Sequence, residues 1–453
     1  MRRKCSSQMF KLVLISLSCL SFYIWLATRA HGGFNPLHLE PDDVVAPVTA
    51  PLNDFDILNL SESECRTIFR DLFIDLDKTV ALGPFTLKRA QDTGPVQVRV
   101  KYNRLYILKL EETGILSPEL VQIRKAALYQ IHRALLTSPL ILPDTVFSLN
   151  IRDQPYGAAL SYTRPAYRAH ASALPPLERA FLMPHFSHWT WDLPSIGSIR
   201  QASKAITQIE DGLAFKQKDS RVVWRGTTGF NGIHHPTLRQ DLLKVTNGAD
   251  WADVQALDSY TLEKDSSDTD SSNTYSGARD NNILLIEDFC RYKYILYTDG
   301  VTYSGRLSFH QLCGSVLITP PIAWLQHTTH LIKPLFSCDL NLDGPQAWTP
   351  DRGVSDAWPV HYRPEDANAV FVSPDWTDLE DTIRWLEEHQ DVAEGIAKRQ
   401  RELYVEKGYL SPAAEVCFWR ALITGWSDVV RFDEEQWDKD TGIRWEEFSI
   451  GEQ

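Results

Sequence analysis

The 453-residue sequence has no GxSxG, HExxH or GxxxxGK[ST] motif, so elbow-type serine hydrolases, zinc metalloproteases and P-loop nucleotide hydrolases have no entry evidence. No CxxC or HxxxH spacing occurs among its ligand-type residues, which argues against a structural zinc module. It has no internal repeat, and so no solenoid. Positive charge is in deficit, with 46 Lys+Arg against 59 Asp+Glu and a net charge of -13; this is a poor match to a polyanion, and nucleic acid is not an expected partner. What is present is a globular composition, 43% hydrophobic and 23% charged with 14 Trp. The length exceeds what one core usually supports.

The N-terminus sets the expected compartment. Arg2, Arg3 and Lys4 precede an apolar stretch from Phe10 to about Ala27. That stretch approaches the ~20 residues of a spanning helix and exceeds the ~7–15 of a signal core, so an uncleaved anchor is expected at 10–28. Basic residues ahead of it keep the N-terminus cytosolic, as in a single-pass type II protein. Cleavage near Ala27 or Ala30 is the alternative. Asn59-Leu60-Ser61 is a glycosylation sequon that suits a luminal chain. Of seven Cys, five (Cys65, Cys290, Cys313, Cys338 and Cys417) follow the anchor, enough for two disulfides and one free thiol without assigning pairs.

A Pro-rich stem follows from Gly32 to about Asn53. Alternation at Val96, Val98, Val100 and Tyr102, a turn at Asn103-Arg104 and renewed apolar residues to Leu108 predict a hairpin. Leu120, Ile123, Leu128, Ile131 and Leu135 predict a helix, and Val146 to Ile151 a strand. Strands at 222–224, 294–297 and 316–319, with helices near 238–245 and 306–312, continue an alternation that implies a parallel α/β architecture. Residues 264–280 are dominated by Ser, Asp, Thr and Gly and predict a surface loop. Closing helices are expected around 383–396 and 416–429, ahead of an acidic tail.

Ligands of open parallel sheets bind beyond the carboxyl ends of strands. Three junctions place polar residues there: Asn150 to Pro155, Val222 to Thr227, and Tyr297 to Arg306. In the third, Asp299-Gly300 turns the chain, Ser304 is a candidate helix cap, and Gly305 admits a ligand to the backbone, so an anion would meet free amides with Arg306 beside it. Arg225 with Gly226, Thr227 and Thr228 forms a second polar cluster, although Arg stacked on Trp224 is often structural. Asp153 is a candidate general base, or else a cap or partner of Arg152. The Asp-x-Asp patterns at 75–77 and 268–270 read as solvated acids, and His234-His235 as surface histidines.

Taken in order, these junctions resemble glycosyltransferase family 90, the capsule-associated-protein and protein O-glucosyltransferase type. The similar stretches include Leu142 to Pro155, Pro184-His185-Phe186-Ser187-His188-Trp189, Trp224-Arg225-Gly226-Thr227, Arg291 to Tyr294, Tyr303-Ser304-Gly305-Arg306, Leu312 to Leu317 and Pro374 to Leu379. The resemblance implies a GT-B fold, two Rossmann-like domains facing a cleft. The implied divisions are tail 1–9, anchor 10–28, stem 29–55, acceptor-side domain 56–205, nucleotide-sugar domain 206–410, and closing helices with tail 411–453. It further implies inverting transfer of xylose or glucose from a UDP-sugar to a hydroxyl of a glycan, polysaccharide or protein, without metal or cofactor, in the Golgi or endoplasmic reticulum. Carried over by position, Asp153 looks like the base. Arg225, Gly226, Thr227, Thr228, Arg239, Tyr303, Ser304, Gly305 and Arg306 look like donor-site residues, and Trp189 looks like part of the acceptor cleft. Residues 336–359 stand as an insertion ahead of His361-Tyr362. The alternatives are a catalytically silent carbohydrate-binding membrane protein of the same fold and a nucleotide-sugar hydrolase.

Overall fold

The two-residue turn at Tyr102 and Asn103, with φ of 50° and 56°, reverses the chain between the first two long strands. Both residues take the left-handed conformation that tight hairpins need, one position earlier than expected. The computed structural model describes residues 54–88, 96–110, 116–155, 157–167, 180–193, 195–232, 235–257, 282–342, 348–438 and 441–451. The expected anchor and most of the stem, the 264–280 loop and His234 lie outside the described residues. Among the described residues, no helix is long and apolar enough to cross a membrane.

The strands in chain order are β1 (Phe85–Thr86), β2 (Val96–Lys101), β3 (Arg104–Leu110), β4 (Thr145–Asn150), β5 (Leu160–Ser161), β6 (Arg164–Pro165), β7 (Asp219–Gly226), β8 (Ala252–Ala256), β9 (Tyr292–Leu296), β10 (Val316–Thr319), β11 (Trp324–Leu325), β12 (Pro334–Phe336), β13 (Ala369–Phe371), β14 (Val430–Arg431) and β15 (Ile443–Arg444). The first half forms a sheet of order β15-β3-β2-β4-β5. Only its β4–β5 pairing is parallel. This departs from the parallel architecture expected of both halves. A two-residue turn can only reverse direction, and the helix Pro118–Leu136 then carries the chain across β2 to its far side. Ser117 caps that helix, accepting from the Leu120 amide, and Pro118 opens it.

The second half is a six-stranded sheet, β12-β13-β10-β9-β7-β8, parallel throughout. Its strands are apolar on both faces. Val222, Trp224, Tyr294, Leu296, Val316 and Ile318 enter one core cluster. Val223, Ile295 and Leu317 point into the other. A parallel sheet covered on both sides requires this run. The chain enters at β7, places β8 on one side and returns to place β9 on the other, so the order reverses between β7 and β9.

The helix Pro412–Val429 returns to the first half. Trp419 Nε1 donates to Gln130 and Trp426 Nε1 to the Val146 carbonyl, both at 2.9 Å. Arg420 donates to the carbonyls of Leu58, Leu60 and Ala134. Buried Glu415 pairs with Arg133, and Cys65 bonds Cys417. The second disulfide is Cys290–Cys313, and Cys338 is free. The acidic tail, which the sequence left unplaced, adds β15 to the edge of the first sheet and buries Trp437 and Trp445.

Histidines 185, 188, 310, 327 and 330 are held neutral mainly by burial, which takes His185 and His188 down to about 3 and lowers the other three as well. The unfolded chain protonates histidine near 6.5, so their contribution is present above that pH and is lost as pH falls. Burial pushes the Asp299 and Glu415 carboxyls up to about 7, which removes stability as pH rises from about 4 to 7. His132 and His235 are lowered too, and Glu119, Asp153 and Asp378 raised, so seven histidines outweigh five carboxyls on the acid side. The melting temperature is therefore expected to fall as pH drops from about 7 to about 5; a flat profile in thermal unfolding would contradict this. A Cβ on Gly305 would lie 2.8 Å from ring atoms of both His185 and Trp191. Gly305→Ala should cost about 1–3 kcal/mol through overpacking, read from denaturant midpoints; an unchanged midpoint would show that the rings can step aside.

Candidate functional site

The reversal between β7 and β9 is where ligands of such sheets bind, outside the carboxyl ends of the strands. The junctions that follow β7 and β9 flank this point, and Trp224 Nε1 donates to Thr298 Oγ1 across it at 3.2 Å. The segment from Tyr297 to Arg306 is fixed by its own buried carboxylate. Asp299 Oδ1 accepts from the Tyr297 hydroxyl and Oδ2 from the Ala323 amide, both at 2.9 Å. Tyr297 also accepts from the Ser304 amide at 2.9 Å, closing the loop on itself. From there Thr302 reaches the first half, its hydroxyl donating to the Asp153 carbonyl at 3.1 Å. The first and third junctions are thus in contact.

Asp153 lies just past β4, exposed, with its carboxyl raised above the ordinary aspartate value by desolvation. Water thus reaches the residue while nearby protein desolvates its carboxyl. Buried Tyr162 and Tyr303 stand near enough for the Asp153 charge to hold their hydroxyls protonated, after burial itself. Glu119, in the first turn of the 118–136 helix, is raised by burial and then by Asp153. It is a second carboxylate at the cleft that the sequence reading missed, since nothing local links residues 34 positions apart.

The arginines divide by role. Arg225 is buried and turned sideways: its guanidinium donates to Asp253 and to the carbonyls of Trp224, Asp253 and Asn282. What it offers the junction is its own carbonyl, which accepts from Arg306 Nη1 at 2.5 Å. Arg239 is buried at the start of the helix Leu238–Val245, donating to the carbonyls of Thr227 at 2.9 Å and Asp299 at 3.1 Å. Its Nε has no hydrogen-bond partner among the described residues. Burial, then the neighbouring Arg306 charge, lowers it to about 10. Two cations facing one another in a buried junction, one with an unused donor, fit a shared anion.

The cap expected at Ser304 does not form. The helix runs only from Leu307 to His310, its cap position is Arg306, and Ser304 contributes its carbonyl to the Leu307 amide at 3.2 Å. One turn carries little dipole, so any anion here would be held by arginine. Gly305 is needed for contact with His185 and Trp191, and Gly226 for the Trp224 ring, which a Cβ would meet at 2.5 Å. Thr227 and Thr228 are half-buried, their carbonyls held by Arg239 and Gln240. Tyr303 packs edge-on to His185. Trp189 lies apart from these groups, flat on Tyr129 at 4.9 Å with the Arg133 guanidinium over its ring, and is 36% exposed.

Beside the junction, at the carboxyl end of the sheet, a groove of about 720 Å³ is lined by His235, Thr237, Asp241, Asp351, Ser373 and Asp375, among others. Its acidic wall would repel phosphate and accept from hydroxyls. Asp75 and Asp77 are spent on ion pairs with Arg164 and Arg66. Residues 268–270 lie outside the described residues. Asn59 is exposed.

Over 146 residues the chain is 25% identical to Protein O-glucosyltransferase 1 of Rattus norvegicus, covering 32% of this chain and 29% of that protein. Over 150 residues it is 28% identical to the O-glucosyltransferase rumi homolog of Aedes aegypti, covering 33% and 30%. The chain thus spans about three-tenths of the length of these relatives. The model of glycosyl transferase family 90 matches residues 60–337, more than half of the chain and all three junctions. The protein belongs to glycosyl transferase family 90.

Proposed function

We propose that this protein is an inverting glycosyltransferase that moves xylose or glucose from a UDP-sugar to a hydroxyl of a protein, glycan or polysaccharide. The observation that carries this reading is the hydrogen bond from the Thr302 hydroxyl to the Asp153 backbone carbonyl, which joins the strand end bearing Asp153 to the segment bearing Arg306. Asp153 takes the proton from the acceptor hydroxyl as its oxygen bonds the anomeric carbon. The bond from that carbon to the diphosphate breaks, its electron pair leaving on the phosphate oxygen. Arg306 and Arg239 balance that charge in a site of low dielectric. The raised carboxyl of Asp153 makes it a stronger base than an ordinary aspartate.

The parallel second half suits the nucleotide-sugar side of a GT-B arrangement, with the first half on the acceptor side. The relatives' names favour a protein acceptor. Silent carbohydrate binding is disfavoured because a carboxylate raised by desolvation at a strand end is costly without chemistry to use it. Arginines supply the positive charge, so no metal or other cofactor is needed for turnover. An anchor at 10–28 would place the enzyme in a Golgi or endoplasmic-reticulum membrane with residues 29–453 luminal. Protease attack on the C-terminal region in sealed microsomes would refute that topology.

Asp153→Asn keeps the shape and removes the base. Turnover should fall at least about a hundredfold with little change in UDP affinity; near-normal turnover would place the base elsewhere. Arg306→Ala should weaken UDP binding about tenfold or more as well as slow turnover, by losing a charge-assisted contact. Its melting temperature serves as the control, because Arg306 also holds the Arg225 carbonyl. In the parent, kcat/KM should decline as pH falls through a value above the ordinary aspartate pKa of about 3.9. Added magnesium or manganese should leave turnover unchanged; stimulation by either would oppose a metal-free mechanism.

A further inference from the structure

We propose that Cys338, Asp339 and His361 bind a zinc ion that clamps the base of the segment 340–360, a site independent of the transferase reading. The Cys338 Sγ, an Asp339 carboxylate oxygen and a His361 ring nitrogen lie within 4.8 Å of one another. Thiolate, imidazole and carboxylate together are a zinc set, softer than magnesium or calcium prefer. Zn–S of about 2.3 Å and Zn–N or Zn–O of about 2.0 Å place tetrahedral ligand atoms roughly 3.3–3.6 Å apart. His361 Nδ1 and Asp339 Oδ2 stand 2.6 Å apart, so an ion between them would open the pair slightly. Both side chains are about two-fifths exposed, which leaves room for the rotation and for water in the fourth position.

The backbone around the three residues is already fixed. Ser337, between β12 and Cys338, is buried, donates to Asp378 and accepts from Trp348 Nε1 at 2.7 Å. The His361 ring stacks on Phe336 with centroids 3.9 Å apart. The Tyr362 amide donates to the Pro334 carbonyl at 3.1 Å. The ligands therefore come from the two ends of one excursion whose interior, including Trp348, Thr349, Asp351 and Val354, walls the groove beside the arginines. Burial and Asp339 push the Cys338 thiol up to about 11, so without an ion it stays protonated. A bound cation reverses that preference. The other Cys-containing cluster, Glu210 with Cys290 and Cys313, offers no such site, because its sulfurs are bonded to each other.

The test uses the full-length chain, purified in detergent, stripped with chelator and titrated with cobalt as a coloured stand-in and then with zinc. One cobalt equivalent should give a thiolate-to-cobalt charge-transfer band that zinc bleaches. Alkylation followed at the Cys338 peptide should slow at least about tenfold with zinc, since the ligated thiolate no longer attacks. Cys338→Ser should abolish the band, and His361→Gln should weaken zinc affinity by more than about tenfold, each with an unchanged metal-free melting temperature. Absence of a saturable band, its persistence in Cys338→Ser, or alkylation of Cys338 indifferent to zinc would overturn the proposal. In that case Asp339 and His361 are only a surface ion pair beside an idle thiol.

Discussion

A buried carboxylate with every oxygen engaged fixes the shape on which this molecule's cleft depends. Asp299 binds the Tyr297 hydroxyl and the Ala323 amide, so the loop after β9 has one conformation available to it. Leaving such a donor or acceptor unpaired costs roughly 1–3 kcal/mol. From that anchor the chain projects Thr302 onto Asp153, Tyr303 among Tyr162 and His185, and Arg306 back onto the Arg225 carbonyl. One short segment thus touches the Asp153 backbone in the first half and the Arg225 backbone in the second.

The same economy explains why charge is divided around the cleft. Arg225, the cation nearest the strand end, is consumed by Asp253 and neighbouring carbonyls, and so stiffens β7 against β8. Arg239 donates to the Thr227 and Asp299 carbonyls with the Arg306 charge beside it, so positive charge gathers at the junction without a long helix to supply a dipole. The acidic groove alongside selects the opposite character.

Much of this was legible in the sequence. The helix 238–245 and the strand 316–319 fall where periodicity placed them, because long apolar runs between turn residues have one reading in a two-sided parallel sheet. β8, β12 and β13 escaped notice: each is short, and their pairing is set by neighbours distant in sequence. The hairpin at 96–108 already implied that β2 and β3 run antiparallel; that β4 joins β2 antiparallel was invisible, since alternation reports which side is buried and not which partner lies next. The inward turn of Arg225 depends on Asp253, and the approach of Glu119 to Asp153 on a helix crossing the sheet; neither has a local signature. Ser304 failed as a cap for a simpler reason. The amides it would serve are already taken, Leu307 donating to the Ser304 carbonyl and Phe309 and His310 to that of Arg306.

The Cys65–Cys417 bond has a consequence for how the chain is made. Its two sulfurs are 352 residues apart in sequence, so at about 5–20 residues per second the ribosome delivers the second roughly 20–70 s after the first. Cys290 and Cys313, only 23 residues apart, emerge together and can pair at once. For most of its synthesis the N-terminal half therefore waits with a reactive thiol and an uncovered apolar face, both intended for a helix not yet translated. Pairing of Cys65 and covering of its helix wait for residues 412–429, translated long after the strands they cover.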